Sequence, residues 1–269
     1  LTAVALEGYS YGEGSYGEGS YGEGPARINF AKADLTNADL NGSKITTDGG
    51  RGKGYKGGRG NARINFDGAN LTNADLSGSE LTAEGGMNGG IAFTGADLAN
   101  ADLSGSEITA YGGRGNAFIE FSWANLDHAD LSGSELTAQA EGDTASIDFY
   151  GANLAHADLS GSKIIANSSS YSATIDFTEA DLTNADLSGS EFTAEGYDAT
   201  ITFANADLAN ANLSGSKITA DADGYSIIDF DGATLANADL SGWELTAENI
   251  LGLTPISPSP SPSPSPLIS

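Results

Sequence analysis

Residues 66–83 read FDGANLTNADLSGSELTA, and this stretch recurs eight times along the chain. Large apolar residues follow one another every five positions, at Phe66, Leu71, Leu76 and Leu81. A smaller or branched residue stands two positions before each of them. A unit repeated this regularly predicts that coils of chain stack on one another, each burying its apolar face against its neighbours.

The repeated phenylalanines count the coils: Phe30, Phe66, Phe93, Phe121, Phe149, Phe177, Phe203 and Phe230. Their spacing is 26 to 28 residues except for the first step of 36. Four five-residue units account for only 20 residues of each coil. The remainder predicts either loops along one edge of the coils or one side that is a longer strand, and both alternatives stay open.

The unit Ala-(Asp/Asn)-Leu-X-X, as in Ala33-Asp34-Leu35 and Ala101-Asp102-Leu103, resembles the pentapeptide-repeat family. The resemblance covers residues 26–248 and implies an all-β fold, a right-handed quadrilateral β-helix of eight coils, here with coils enlarged to about 27–28 residues. We expect residues 1–25 to form a Tyr/Gly/Glu/Ser-rich arm. Residues 249–269 are expected to form a short cap and a Ser-Pro tail.

Two columns of equivalent positions predict tight corners. One holds glycine in all eight coils, from Gly42 to Gly242, and a positive φ explains that choice. The other holds Asn, or His128 and His156, which tolerate the left-handed region better than most residues. The two histidines lie on successive coils, but no third metal ligand accompanies them, so we expect ordinary turn residues and no metal site.

A column of aspartates runs through Asp75, Asp102, Asp130, Asp158 and Asp186. Stacked at about 4.8 Å, such carboxylates repel one another by roughly 1 kcal/mol in water. Calcium along the rod is one way to neutralise them, and a solvated acidic face is the other. A threonine column from Thr46 to Thr246 resembles one rank of an ice-binding surface, although cross-strand pairing also explains it.

Charge is distributed unevenly. The net charge is −26, yet residues 27–63 hold eight of the 11 Lys and Arg residues against three Asp, which leaves the rest of the chain at −31. Such acidity disfavours nucleic acid as a partner. With Lys44 in the first coil and Glu244 in the last, the ends are complementary. We therefore predict head-to-tail self-assembly through Arg27, Lys32, Lys44, Trp243 and Glu244, together with the arm residues Tyr11, Tyr16 and Tyr21.

The tail of five Ser-Pro dipeptides resembles the Ser-Pro modules of plant and algal hydroxyproline-rich glycoproteins, which implies O-glycans on hydroxylated prolines. Four Asn-X-Ser/Thr sequons are further candidates and would indicate secretion. The candidate glycosylation positions are Pro258, Pro260, Pro262, Pro264, Pro266, Asn41, Asn70, Asn167 and Asn212.

Enzymatic chemistry has little support in the sequence. Cysteine is absent, there are only two histidines, and no carboxylate interrupts the repeat beside a cleft. No apolar run is long enough to span a membrane. We expect a non-enzymatic structural protein without a cofactor, extracellular or at the cell surface, assembled into a glycosylated fibril. The alternatives are a DNA-mimicking inhibitor of topoisomerases, as the family resemblance implies, and an ice-binding solenoid.

Overall fold

The computed structural model describes residues 26–49 and 60–253, and the backbone of residues 5–9. It contains two parallel nine-stranded sheets. The first comprises β1 Ala5–Tyr9, β3 Lys44–Asp48, β5 Glu80–Gly85, β7 Glu107–Gly112, β9 Glu135–Ala140, β11 Lys163–Ser168, β13 Glu191–Gly196, β15 Lys217–Ala222 and β17 Glu244–Thr246. The second comprises β2 Ala26–Asn29, β4 Ala62–Asn65, β6 Gly89–Ala92, β8 Ala117–Glu120, β10 Ala145–Asp148, β12 Ser172–Asp176, β14 Asp198–Thr202, β16 Ser226–Asp229 and β18 Asn249–Leu251.

These strands form a right-handed β-solenoid, as predicted. Each coil runs through an even-numbered strand, two short sides with one bridge each, and an odd-numbered strand. Strands pair in register with the equivalent strands of neighbouring coils, so that Ile64 faces Ile91 and Leu81 faces Ile108. The residues beyond the four pentapeptides lengthen the two strand-bearing sides, which decides between the alternatives in favour of longer strands. From β5 onward, a connection of one to four residues joins each odd-numbered strand to the next even-numbered strand.

Three tight turns shape every coil: the first corner follows the even strand, and the second and third corners flank the second short side. In coil 2 the carbonyl of Phe66 accepts from the N–H of Ala69, and Gly68 between them has φ 64°. This combination is a type II β-turn. The predicted left-handed conformation is confirmed for the glycine column and for the Asn/His column. The first corner forms a third left-handed column that the sequence did not reveal, because its residues are chemically mixed.

The core is a set of continuous columns. All eight repeat phenylalanine rings are stacked, with centroids 4.7 to 4.9 Å apart in each step. Alanine and leucine columns line the short sides, and inner-coil members such as Leu126 and Leu154 are fully buried. Because each side chain packs against its equivalents above and below, the spacing between strands also sets the spacing between core residues. No helix in the described part of the chain is long and apolar enough to cross a membrane.

Candidate functional site: the ends and corners of the solenoid

The aspartate column lies on the second short side, and its carboxylates are used by the turns that follow. Oδ1 of Asp102 accepts from the N–H of Ser104 at 2.9 Å and from its hydroxyl at 2.6 Å. The N–H bond two residues ahead recurs at Asp39, Asp75, Asp130, Asp158, Asp186, Asn212 and Asp239. The column is therefore a series of Asx turns, in which the side chain stabilises its own corner.

Hydrogen bonding favours the ionised form of two carboxylates of this column. Bonds from Ser77 hold the pKa of Asp75 below its ordinary value, and bonds from Ser241 do the same for Asp239. At these two positions local donors therefore outweigh any upward pKa shift from the neighbouring carboxylates. Among the residues that the structure describes, no three metal-ligating side chains gather closely enough to hold an ion. The calcium hypothesis gains no support from this geometry.

The two histidines lie on the second corner of coils 4 and 5. Their ring centroids are 4.6 Å apart, and Nδ1 of His128 lies 2.9 Å from Oδ1 of Asp127. Both occupy the left-handed position, with φ 58° for His128 and 60° for His156. They serve as the turn residues that the sequence predicted.

The predicted assembly residues lie toward the two ends of the rod. Arg27 and Lys32 are exposed on the first coil, and Trp243 and Glu244 belong to the last. Trp243 lies against Phe230, with ring centroids 5.7 Å apart. It thereby covers the end of the phenylalanine column. Tyr11, Tyr16 and Tyr21 fall outside the described residues.

Lys44 requires a correction to the predicted contact. Its Nζ lies 2.6 Å from Oε1 of Glu80 in the next coil, and Ala5 of β1 occupies the neighbouring position on its other side. The edge of this sheet is therefore β1, not β3. A direct pairing between Lys44 and Glu244 of a second molecule would require β1 to leave its place.

The four sequon asparagines differ in what their side-chain nitrogen does. Nδ2 donates to Ser77 from Asn41, to Glu195 from Asn167 and to Asp186 from Asn212. Asn70 is exposed and uses its Oδ1 to accept from Thr72, while its Nδ2 donates no bond among the described residues. Since a glycan attaches to this nitrogen, Asn70 is the sequon whose modification would break the fewest contacts. The five prolines of the tail lie outside the described residues.

The threonine column faces outward on the odd-numbered sheet as a single rank. Thr82, Thr109 and Thr137 are half-buried, and Glu80, Glu107 and Glu135 flank them on one side. A flat surface made of threonines alone is therefore missing from this part of the sheet. Parallel strand pairing accounts for the column.

Sequence reasoning missed a group of side chains at the first corner of coils 4 to 6. Trp123 is 59% exposed and has φ 60°. Its ring meets the ring of Tyr150 edge-on at 5.0 Å, and the Tyr150 hydroxyl donates to Oε2 of Glu179 at 3.0 Å. The only available signal was that bulky residues interrupt a corner that elsewhere carries mostly small or amide residues.

With its register, corners and stacked core, the molecule is a parallel β-solenoid protein. The pentapeptide-repeat family model matches in eight copies, over residues 62–83 and 175–194. The chain is a pentapeptide-repeat protein, as the sequence predicted. No match is found among curated proteins.

Three solved structures are among those similar to this chain. A pentapeptide repeat protein involved in heterocyst differentiation regulation, from the cyanobacterium Nostoc sp. strain PCC 7120, is 23% identical, with 81% of this chain and 87% of that one covered and a TM-score of 0.29. A plasmid-mediated fluoroquinolone resistance protein, QnrB1, is 19% identical, with 90% of each chain covered and a TM-score of 0.30. A pentapeptide repeat protein from the Arabidopsis thaliana thylakoid lumen is 23% identical, with 48% and 60% covered and a TM-score of 0.11.

Proposed function

We propose that this solenoid is a non-enzymatic structural subunit that stacks head to tail into an extracellular, glycosylated fibril. The observation that supports it most is the stagger of the two ends. The odd-numbered sheet starts one strand before the first full coil, with β1, and the even-numbered sheet finishes one strand after the last, with β18. Each end is thus half a coil, and the two halves lie on opposite sides of the rod.

The two half-coils fit together. If a second molecule follows in the same register, its β1 lies beyond β17 and its β2 lies beyond β18. Strand β18 of the first molecule and strand β1 of the second then form opposite sides of one shared coil. The axial repeat of such a fibril is nine strand spacings, about 43 Å. A contact of this kind does not close on itself, and so it produces a filament.

Apolar core surface is open at both ends. Phe30 and Leu35 in the first coil and Leu235 and Leu240 in the last are only half-buried, although their inner equivalents are fully buried. Stacking would remove this surface from water, and each square ångström of buried apolar area contributes about 25 cal/mol. The end of the phenylalanine column is not part of this open surface, because Trp243 packs against the buried Phe230.

Backbone N–H groups of the last coil also lack the partners that their equivalents have within the rod. Within the rod, the N–H of Leu208 donates to Thr234 and the N–H of Leu213 donates to Asp239 in the following coil. The equivalent groups of Leu235 and Leu240 have no acceptor among the described residues. A stacked neighbour would supply acceptors in the same parallel pattern, which is how exposed strand edges recruit further strands.

Charge supports the same direction of assembly. Residues 226–253 carry five carboxylates and no Lys or Arg, whereas residues 1–63, which include β1, carry eight Lys and Arg against seven Asp and Glu, a net charge of +1. Opposite ends of two rods attract one another, while their acidic sides repel, so that end-on encounters are favoured over lateral ones. The Ser-Pro tail and the exposed Asn70 support the extracellular, glycosylated part of the proposal.

Electron microscopy of the purified full chain tests the assembly, with two matched lysine substitutions. Ile250 and Leu251 are both 42% exposed on β18. Ile250 continues the inward column of Ile228, whereas Leu251 continues the outward position of Asp229. We expect fibres with an axial repeat near nine strand spacings, loss of fibres in Ile250→Lys, and retention of fibres in Leu251→Lys.

Uniform single rods from the unmodified chain, under conditions that keep it folded, would overturn the assembly proposal. Equal fibre formation by the two lysine variants would overturn the stacked-end contact. Intact mass of material from the natural source tests the glycans separately: added mass that a glycosidase removes is expected, and the bare polypeptide mass would contradict that part.

A further inference from the structure

The first corner of coils 4 to 6 carries a ridge formed by Trp123, Tyr150 and Glu179, which we call the aromatic ridge. Trp123 and Glu179 occupy the left-handed position, each with φ 60°. Residues other than glycine, asparagine and aspartate rarely adopt this conformation. The equivalent positions of other coils hold Lys32, Gly68, Gly95, Gly151, Asn205 and Gly232. The corner imposes this conformation in every coil, so a Trp or Glu there introduces backbone strain that glycine avoids, and such strain clusters at functional sites.

The indole ring of Trp123 is held in one place although it is exposed. It leans onto the next coil, where a Cβ added at Gly151 would come within 2.5 Å of its Cζ3. The edge contact with Tyr150 fixes it from the side, and the hydrogen bond to Glu179 fixes Tyr150 in turn. The ridge therefore offers an aromatic surface to solvent that is ordered before any ligand arrives, which reduces the entropy cost of binding.

The surroundings of the ridge are acidic. Asp148 and Asp176 are the last residues of β10 and β12, just before the first corner. Asp181 lies in the middle of the first short side, and Asp127 lies in the second corner at the far end of that side. The stretch from 117 to 183 contains a single Lys or Arg, Lys163, which lies on β11. The pKa of Tyr150 is raised, first by its bond to Glu179 and to a smaller extent by the charges of Glu179 and Asp176.

We propose that the aromatic ridge binds the guanidinium or ammonium groups of a basic polypeptide, with arginine preferred. A cation over the face of tryptophan is attracted by the ring, and nearby carboxylates add to that attraction. Arginine gains more than lysine because its planar head stacks on the ring while its N–H groups donate to a carboxylate. A neutral sugar would use the ring but would gain nothing from the charge of these carboxylates.

Binding is measured by calorimetry with the full chain and three six-residue peptides of alternating glycine and arginine, lysine or citrulline. Citrulline has the shape of arginine without its charge. The key variant is Trp123→Gly, because glycine already occupies this corner in other coils and so preserves the fold. Asn205→Gly is the matched control, since it also introduces glycine at the first corner, in coil 7, where φ is 56°.

We expect the arginine peptide to bind more tightly than the lysine peptide and the citrulline peptide to show no binding. Trp123→Gly should weaken arginine binding about three- to tenfold, and Asn205→Gly should leave it unchanged. The difference between the two variants should persist in added salt, which screens the general attraction to the acidic rod. Equal affinity of both variants would overturn the proposal. So would saturable binding of a neutral oligosaccharide, such as cellohexaose, that depends on Trp123 in the absence of peptide binding.

Discussion

The ring of Phe149 lies parallel to the ring of Phe177, with centroids 4.7 Å apart and planes within 2°. This separation is the spacing between neighbouring strands, so one distance governs both the backbone ladder and the aromatic column. Aromatic pairs usually offset their rings or meet edge to face. In this core the backbone register holds the rings parallel, at a centroid distance within the range of offset-stacked pairs.

Removing one ring from the middle of the column should destabilise the whole rod. Phe149 is fully buried between Phe121 and Phe177, so Phe149→Ala leaves a cavity and should lower the free energy of unfolding by about 3–5 kcal/mol. Tyr197→Ala, at a side chain that is 59% exposed, is the control and should change it by less than about 0.5 kcal/mol. Urea unfolding followed by circular dichroism measures both. Equal effects would mean that the column is not the stabilising core.

Adding a methyl group at a corner separates conformational strain from contact. Gly161 and Gly151 have φ 63° and 61°, and the added Cβ at Gly161 would meet no heavy atom within 4 Å. We expect Gly161→Ala and Gly151→Ala each to cost about 1 kcal/mol of stability. Only Gly151→Ala should displace the indole of Trp123, seen as a shift in fluorescence in a Trp243→Phe background. An unchanged spectrum would contradict the ring position described above.

The Asx turns predict the sign of an acid effect. Because the folded-state pKa of Asp75 lies below its unfolded value, its contribution to stability is present above the unfolded pKa and is lost as pH falls through the folded one. Asp75→Asn retains an acceptor, as Asn212 does naturally, but does not titrate. The variant should therefore lose less stability than the parent between pH 5 and pH 2. Parallel pH profiles from thermal melts would refute this assignment.

The serine column divides into two kinds of buried hydroxyl. Oγ of Ser106 and Ser134 has no hydrogen-bond partner within the described part of the chain, whereas Oγ of Ser216 donates to the carbonyl of Leu213 at 2.8 Å. Ser134→Ala should be neutral or stabilising by up to about 1 kcal/mol, because it removes an unpaired polar atom. Ser216→Ala should cost about 1 kcal/mol. Thermal unfolding of both variants measures these changes in stability. A stabilising Ser216→Ala would contradict the predicted difference between the paired and the unpaired hydroxyl.

The repeat made the fold predictable because every coil carries the same pattern of apolar residues and turn residues. A large apolar residue every five positions fixed the inward columns, and Gly161 and Asn184 identified two of the three corners. The first corner escaped because Lys32, Gly95 and Trp123 share a backbone conformation and no chemistry. The short strand β1 escaped for a different reason: it pairs with β3, but the columns of the repeat do not extend clearly into it.

The ends and the ridge depend on what interrupts the repeat, and one sequence shows interruptions without their meaning. Trp243 was conspicuous because it replaces serine, and the structure shows that it covers the end of the phenylalanine column. Trp123 was not conspicuous in the sequence, since its exposure and its contact with Tyr150 follow from a turn geometry that residue spacing alone does not reveal. The carboxylates were noticed as charges, but their role as acceptors for Ser104 and its equivalents required coordinates.

The identical register of successive coils has a consequence for how such a molecule can change its length. Any block that begins and ends at the same point of the coil, such as residues 122–149, can be removed or duplicated without altering a single inward column. Size therefore varies in whole steps of about 4.8 Å, while both end surfaces stay as they are. Duplication or deletion of one coil-length segment of the gene would therefore lengthen or shorten the rod by one strand spacing and leave its contacts otherwise unchanged.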